Sequence, residues 1–277
     1  MTWLKSAVLS RLHPLYPQLF GHWRRVLTSS KYRQIEKEKA YLRRLPRFTR
    51  GHAFLSGFNL EFADSASFLY MWEEIFNREI YHFSSDVKTP FFIDAGANIG
   101  LATLYLKTRF PNAHIIAFEP DAAIVQVLKT NIQRASIKGV EIIPHALWST
   151  ETTLRFRSDG ADGGRLEEDI SLQHSVTTVR LRSYMQSKVD FLKMDIEGAE
   201  IEVLQDCADL LVNVERIFVE FHSFENRVQG LAQLCGLLEN AGFRLHLAPS
   251  LVSMRPLESR TIVSGMDSQI NIFGFRV

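Results

Sequence analysis

Two apolar stretches of this 277-residue chain carry ionisable residues where burial would ordinarily exclude them. In VDFLKMDIEGAE, Lys193 and Asp195 interrupt what otherwise reads as a central strand, and in RIFVEFH the same holds for Glu220 and His222. A strand covered on both faces holds an isolated charge only at a cost of several kcal/mol, so these groups must be paired or stand at a site. Strand alternation puts Phe191, Lys193 and Asp195 on one face, and Glu220 with His222 on one face of the next strand. If the two strands are neighbours, the four groups converge. A carboxylate and an imidazole are equipment for proton transfer: Asp195 and His222 are the candidate bases, the imidazole because its unperturbed pKa is about 6.5. Lys193 would orient the base or hold its partner, while a structural ion pair between Lys193 and Glu220 is the competing reading. The trio Asp195, Glu220 and His222 could instead hold Mg²⁺ or another divalent ion, but no tighter carboxylate spacing accompanies it, and no metal is predicted.

A glycine turn supplies the second constellation. In FFIDAGANIG, residues 91–100, an apolar strand ends on Asp94, turns through Gly96 and starts a helix near Gly100. Such a turn presents backbone N–H groups to a ligand at the carboxyl edge of an α/β sheet, and dinucleotide, nucleotide and S-adenosylmethionine sites all use it. A pyrophosphate turn wants GxGxxG, whereas here the string is GxNxG. Asp94 would oppose a pyrophosphate but complement an ammonium or sulfonium group, so the expected ligand is cationic. Glu119, 19 residues after Gly100, ends the next strand at the position where an acidic side chain accepts hydrogen bonds from ribose hydroxyls.

The elements that must position these residues follow from periodicity. Strands are predicted over 91–94, 114–119, 140–144, 189–195, 216–222, 244–247 and 269–277, alternating with helical patterns as in βαβ units. Between the third and fourth, alternation at Thr153, Arg155 and Arg157 and at Thr177, Val179 and Leu181 predicts two short strands flanking the polar loop DGADGGR, whose Arg165 would contact an anion or sugar. Upstream, the pattern predicts a surface helix over 34–44 stopped by Pro46, a strand pair at 53–55 and 60–62 around Ser56 and Gly57, and a helix capped by Asp64 and Ser65. That helix carries Phe68, Leu69, Trp72, Ile75 and Phe76 on one face. The domain expectation is an N-terminal basic helical segment and cap over 1–88 and a ligand-binding α/β domain over 89–277.

Charge is unevenly spread. Residues 1–50 hold 12 Lys and Arg against two Glu, whereas the remainder holds 20 basic against 29 acidic residues. One reading is a basic arm for an anionic partner, a membrane surface or an acidic glycan carrier; the other is a solvated helix face. No apolar run reaches the ~18 residues of a membrane span, and no secretory signal is expected. Cys207 and Cys235 make no CxxC or metal spacing and are expected in core packing, as suits a cytoplasmic protein.

DAGANIG, AFEPD, VDFLKMDIEGAE and VERIFVEFH, in this order, resemble the FkbM-type S-adenosylmethionine-dependent methyltransferases, and SFLYMWEEIFNREIY is similar to the family's lead-in helix. The resemblance covers roughly residues 51–277. It implies the class I methyltransferase fold, a Rossmann-like, seven-stranded, mostly parallel sheet with the last strand antiparallel beside the fifth. It also implies S-adenosylmethionine as cofactor. Asp94, Gly96, Asn98, Gly100 and Asp195 would hold its methionine part, Glu119 its ribose, Pro120 and Asp121 would border the adenine, and Ala146 would let the adenine lie flat. Glu197 would touch the substrate or serve only as a helix-dipole partner. The implied reaction is O-methylation of a saccharide or other polyhydroxylated acceptor, with a polyketide or peptide natural product as the alternative. Outside this family, the rivals are an NAD-dependent oxidoreductase, opposed by Asp94 and the missing glycine, and a non-catalytic scaffold docking through its basic end. No nucleic-acid partner is expected.

Overall fold

The computed structural model describes residues 29–157, 165–166, 173–251 and 253–276. Most of the basic arm, residues 1–28, and residues 158–164, which include all of the DGADGGR loop but Arg165, lie outside the described residues, as does the side chain of Arg165.

The chain enters on α1 (Ser30–Leu42), whose N-cap Ser29 accepts a hydrogen bond from the Tyr32 N–H. This helix starts four residues before the predicted boundary because Ser29 satisfies a free N–H at the first turn. A hairpin follows, β1 (Gly51–Leu55) with β2 (Phe58–Phe62). Both central residues of its turn, Ser56 at φ 51° and Gly57 at φ 92°, have positive φ, as a two-residue hairpin that matches strand twist requires. Asp64 then caps α2 (Ser65–Trp72), accepting from Ser67 N–H, and also takes the Phe48 N–H and the Arg47 guanidinium. Periodicity did not foretell that α2 runs on into a π-helical turn, Glu73–Asn77. The wider turn keeps Trp72 and Ile75 buried and stacks Trp72 on Phe76 with ring centroids 4.1 Å apart.

Beyond Pro90 the seven-stranded sheet assembles in the order β12-β13-β11-β10-β3-β4-β5. Its parallel strands β3 (Phe91–Ala95), β4 (His114–Phe118), β5 (Val140–Ile143), β10 (Phe191–Met194) and β11 (Arg216–Phe224) adjoin β13 (Met266–Phe275), which runs antiparallel between β11 and β12 (Arg244–Leu251). This is the class I methyltransferase sheet, including the antiparallel strand beside the fifth. The boundaries correct the sequence expectations by a few residues: Glu119 lies just past β4, Asp195 just past β10, and the final strands form a longer hairpin. A second sheet is ordered β6 (Ala146–Leu147), β9 (Gln173–Val179), β7 (Thr153–Arg157) and β8 (Arg165–Leu166); Leu181 falls in a 3₁₀ turn rather than a strand.

Alternation divides the core. Phe92, Phe191 and Phe218 pack with α3 (Leu101–Arg109), α4 (Ala122–Arg134) and the N-terminal cap, whereas Ile93, Leu192, Met194 and Val219 pack with α5 (Glu200–Asp206) and α6 (Leu231–Asn240). The buried ionisable residues of β3, β10 and β11 share the parity of the phenylalanines, so they lie on the face over which the cap passes. Cys207 closes α5 and is buried, and Cys235 on α6 is half-buried; both are free thiols.

Candidate active site

The glycine turn after β3 is held by backbone contacts that leave no room for side chains. Gly96 and Ala97 donate to the carbonyl of Phe118, and a Cβ on Gly96, at φ +83°, would stand 1.7 Å from the carbonyl oxygen of Asp195. The end of β3 is thus pressed against the end of β10, and Gly100, at φ +92°, leads into α3.

Asp94 is where the structure departs furthest from the expected role. Its side chain is fully buried beneath the turn and does not face the cavity. Oδ2 accepts from the Thr103 hydroxyl at 2.6 Å, and Oδ1 lies 3.4 Å from Lys193 Nζ. Lys193 in turn donates to the carbonyl of Gly96 and pairs with Asp195 Oδ2 at 3.3 Å. Burial works against the ammonium, but Asp195 and Asp94 outweigh it and hold its pKa above the ordinary value. The buried partner of Lys193 is therefore Asp94, not Glu220, and the pair ties the turn to β10.

One cavity runs across the carboxyl ends of the strands. At one end lie Pro120, Ile124, Ala146, Leu147 and Phe156, a mostly apolar slot suited to a flat ring. Ala146 sits in β6 opposite Thr178. At the middle, Glu119 faces the cavity while Oε2 accepts the Asn98 N–H and Oε1 the Asp121 N–H, each at 2.9 Å. Two of its lone-pair directions remain for a diol. Burial pushes this carboxyl up to about 7, and the two N–H donors pull the other way. Asn98, at φ 49°, accepts the N–H of Ile99 through its own side chain. Asp121 borders the cavity, but its carboxylate caps α4 through the N–H groups of Ala123 and Ile124.

At the far end Lys193, Asp195, Glu197, Glu220 and Gln269 meet Tyr70, Glu74 and Tyr81 of the cap. Asp195 has 24% of its side chain exposed, whereas the His222 side chain is fully buried. Glu220 accepts from Gln269 Nε2 at 2.6 Å; burial, with the Asp195 charge adding to it, raises its pKa well above the ordinary carboxylate value. His222 Nδ1 lies 3.1 Å from Glu200 Oε1, and Nε2 lies 3.6 Å from Glu197 Oε2 and 4.0 Å from Asp195 Oδ1. Burial would lower the imidazole pKa, but Glu197, Glu200 and Asp195 raise it well above its usual value. Glu197 precedes α5 at φ 57° instead of standing in its first turn, so its expected dipole role passes to Glu200.

A family model described as the methyltransferase FkbM domain matches residues 94–245, more than half of the chain. The chain belongs to the FkbM methyltransferase family. The FkbM domain is thus an S-adenosylmethionine-dependent methyltransferase domain. Methyltransferase sdnD of Sordaria araneosa is 31% identical over 175 residues, 49% of this chain and 67% of that protein. Hexuronic acid methyltransferase AglP of Haloferax volcanii is 29% identical over 136 residues, 47% of this chain and 55% of that protein. AMB antimetabolite synthetase AmbE of Pseudomonas aeruginosa is 28% identical over 226 residues, 64% of this chain but 11% of that much longer protein. Among solved structures, methyltransferase FkbM from Methylobacillus flagellatus KT aligns at TM-score 0.45 and 16% identity, over 71% of this chain and 46% of that one.

Among the cavity residues that escaped the sequence reading are Tyr70 and Glu74, which hydrogen-bond each other, and Tyr81, His145 and Gln269. Tyr70 and Glu74 read as the polar side of an amphipathic helix, and only the packing of the cap over β10 and β11 turns that side inward. Among the described residues, no helix is long and apolar enough to cross a membrane.

Proposed function

We propose that this FkbM domain transfers the methyl group of S-adenosylmethionine to a hydroxyl of a saccharide or other polyhydroxylated acceptor. The observation that carries the reading is the part-exposed carboxylate of Asp195, at the junction of the glycine turn and a polar far end walled by Tyr70, Glu74, Tyr81 and Gln269. An acceptor rich in hydroxyls finds hydrogen-bonding partners there on several sides. The hexuronic acid named for AglP supports a sugar acceptor, and the name of AmbE supports the peptide-like alternative.

In this reading Gly96, Ala97 and Asn98 flank the methionine part of the donor, with Lys193 and Asp195 at the methyl, while Asp94 acts from beneath by fixing Lys193. Glu119 accepts from the ribose hydroxyls, and Pro120, Asp121 and Ala146 border the adenine. The acceptor oxygen attacks the methyl carbon in line with the carbon–sulfur bond, whose electron pair leaves on sulfur as S-adenosylhomocysteine forms. Asp195 takes the hydroxyl proton. Its exposure favours it over His222, which is shielded and serves as a positioning residue. Alignment of the three atoms supplies several kcal/mol, and a positioned base typically adds about 10²- to 10⁴-fold. Glu197 and Arg165 are the remaining candidates for acceptor contact.

Incubation of the protein with methyl-labelled S-adenosylmethionine and fractionated cell extract tests this. A labelled saccharide whose formation drops at least about 100-fold in Asp195→Asn supports the reading; a labelled peptide or an undiminished rate in that variant overturns it.

A further inference from the structure

We propose that Asp195, Glu220 and His222 form a binding site for one first-row divalent cation at the acceptor end of the cavity. One carboxylate oxygen from each acid and one imidazole nitrogen lie within 4.8 Å of one another. Donors bound to one such ion at about 2.1 Å stand no more than about 4.2 Å apart, so the set closes with small side-chain movements. The three residues come from the carboxyl ends of adjacent parallel strands, held in register by β10 and β11 pairing, and two of them line the cavity.

The surroundings carry features of a metal site. Glu200, 2% exposed, accepts at His222 Nδ1, which fixes the ring and leaves Nε2 on the side of Asp195, 4.0 Å from its Oδ1, with Glu197 Oε2 at 3.6 Å. This is the carboxylate–histidine relay that orients a ligating imidazole. Gln269 Nε2 lies 2.6 Å from Glu220 Oε1 and 3.2 Å from His222 Nε2, so its amide already bridges two of the three residues. Rotating that amide puts a neutral carbonyl oxygen in the same place as a fourth donor. Asn271 is 6% exposed, pairs across the ladder with Glu220, and so projects on the same face beside it; its Oδ1 is buried with no hydrogen-bond partner. A cation held at Glu220 gives that oxygen a partner, directly or through water.

Charge points the same way. Asp195, Glu197, Glu200, Glu220 and Glu74 gather around His222 and Lys193, and Lys193 is shared with the buried Asp94. An imidazole beside two carboxylates suits Mn²⁺ or Zn²⁺ better than Ca²⁺. Bound there, the ion would take the acceptor hydroxyl as a ligand and make its proton easier for a base to remove. Only this last role rests on the acceptor reading; binding of the ion does not.

The test is titration of the full chain, stripped with chelator, with Mn²⁺ followed by the loss of the free-ion electron paramagnetic resonance signal. One ion per chain is expected, with affinity weakened about tenfold or more in Glu220→Gln and in His222→Gln and unchanged in Glu258→Gln, a surface control. A native circular dichroism spectrum with cooperative unfolding serves as the folding check, and if the His222 variant fails it, Asp195→Asn takes its place. Absence of binding at millimolar Mn²⁺, or binding equally strong in the variants, overturns the site. Mn²⁺ binding is read without methyl transfer, so a chain that binds the ion yet labels no saccharide overturns the acceptor reading alone.

Discussion

Glu200 Oε1 stands 3.1 Å from His222 Nδ1 and at the same distance from the N–H groups of Ile196 and Gly198, so a single buried oxygen anchors both the turn after β10 and the imidazole of β11. Glu200→Ala strands two backbone donors and a ring nitrogen, and chemical unfolding should show a loss of about 2 to 4 kcal/mol. Glu200→Gln keeps the acceptor oxygen and should recover about half of it. Equal losses in the two variants would mean that charge, not acceptance, is what Glu200 supplies.

Lys193 and Asp94 are a buried pair beside the glycine turn. Removing one partner leaves the other charged and dry, so Lys193→Met should cost about 3 to 5 kcal/mol. Asp94→Asn combined with Lys193→Met should cost less than the sum of the single changes, because the pair fails together. Additive losses in a double-mutant cycle would show that the two residues act independently.

Gly96 and Gly57 have similar positive φ but different neighbours. A methyl group on Gly57 meets nothing within 4 Å, so Gly57→Ala should cost about 1 kcal/mol through backbone strain alone. A methyl group on Gly96 strikes the backbone of Asp195, so Gly96→Ala should both destabilise the chain further and weaken S-adenosylmethionine binding measured by calorimetry. Unchanged affinity in Gly96→Ala would remove this turn from the donor site.

Glu119, raised to about 7, would link pH to donor binding if it is the ribose ligand. The folded chain holds this proton more tightly than the unfolded chain does. Its contribution to stability is therefore fully present below the usual carboxylate pKa and is lost as pH rises through about 7. Accepting ribose hydroxyls needs the ionised form, so affinity for S-adenosylmethionine should climb from pH 6 and level off above about 7, with proton release on binding at the lower pH. Glu119→Gln should flatten that profile and weaken binding at pH 8; a profile of unchanged shape would count against Glu119 as the ribose ligand.

Residues 1–50 carry most of the chain's charge asymmetry. Within the described part of residues 1–50, Lys39 pairs with Glu73, Arg47 with Asp64, and Arg50 donates to the carbonyl of Ala123, whereas Lys37, Arg43 and Arg44 are exposed. If the arm docks on an anionic surface, the intact chain should sediment with phosphatidylserine vesicles and release as salt rises. No sedimentation at low salt would leave the charge run as a solvated face.

The βαβ order, the capping by Asp64 and the parity of Lys193, Asp195, Glu220 and His222 were legible because strand and helix periods are local properties of the chain. The π turn at Glu73–Asn77 and the joining of β6 and β8 to the two predicted strands of the second sheet were not, since each depends on what the segment packs against. The place of Glu119 at the end of the second parallel strand was readable from its spacing; the buried contacts of Glu200 were not, because an acid at a helix start has an ordinary explanation in the helix dipole.

The opening constellation marks the same division. By itself, the sequence determined that ionisable groups lie on one face of two apolar strands beside a glycine turn, because side-chain alternation and the cost of isolated buried charge leave little else. Tertiary structure alone decided their partners. Register brought Lys193 to Asp94 instead of Glu220, the close approach of Gly96 to Asp195 brought the two strand ends together, and the cap laid Tyr70 and Glu74 over them. Pairing of groups far apart in sequence is set by strand order and packing, which no local pattern encodes.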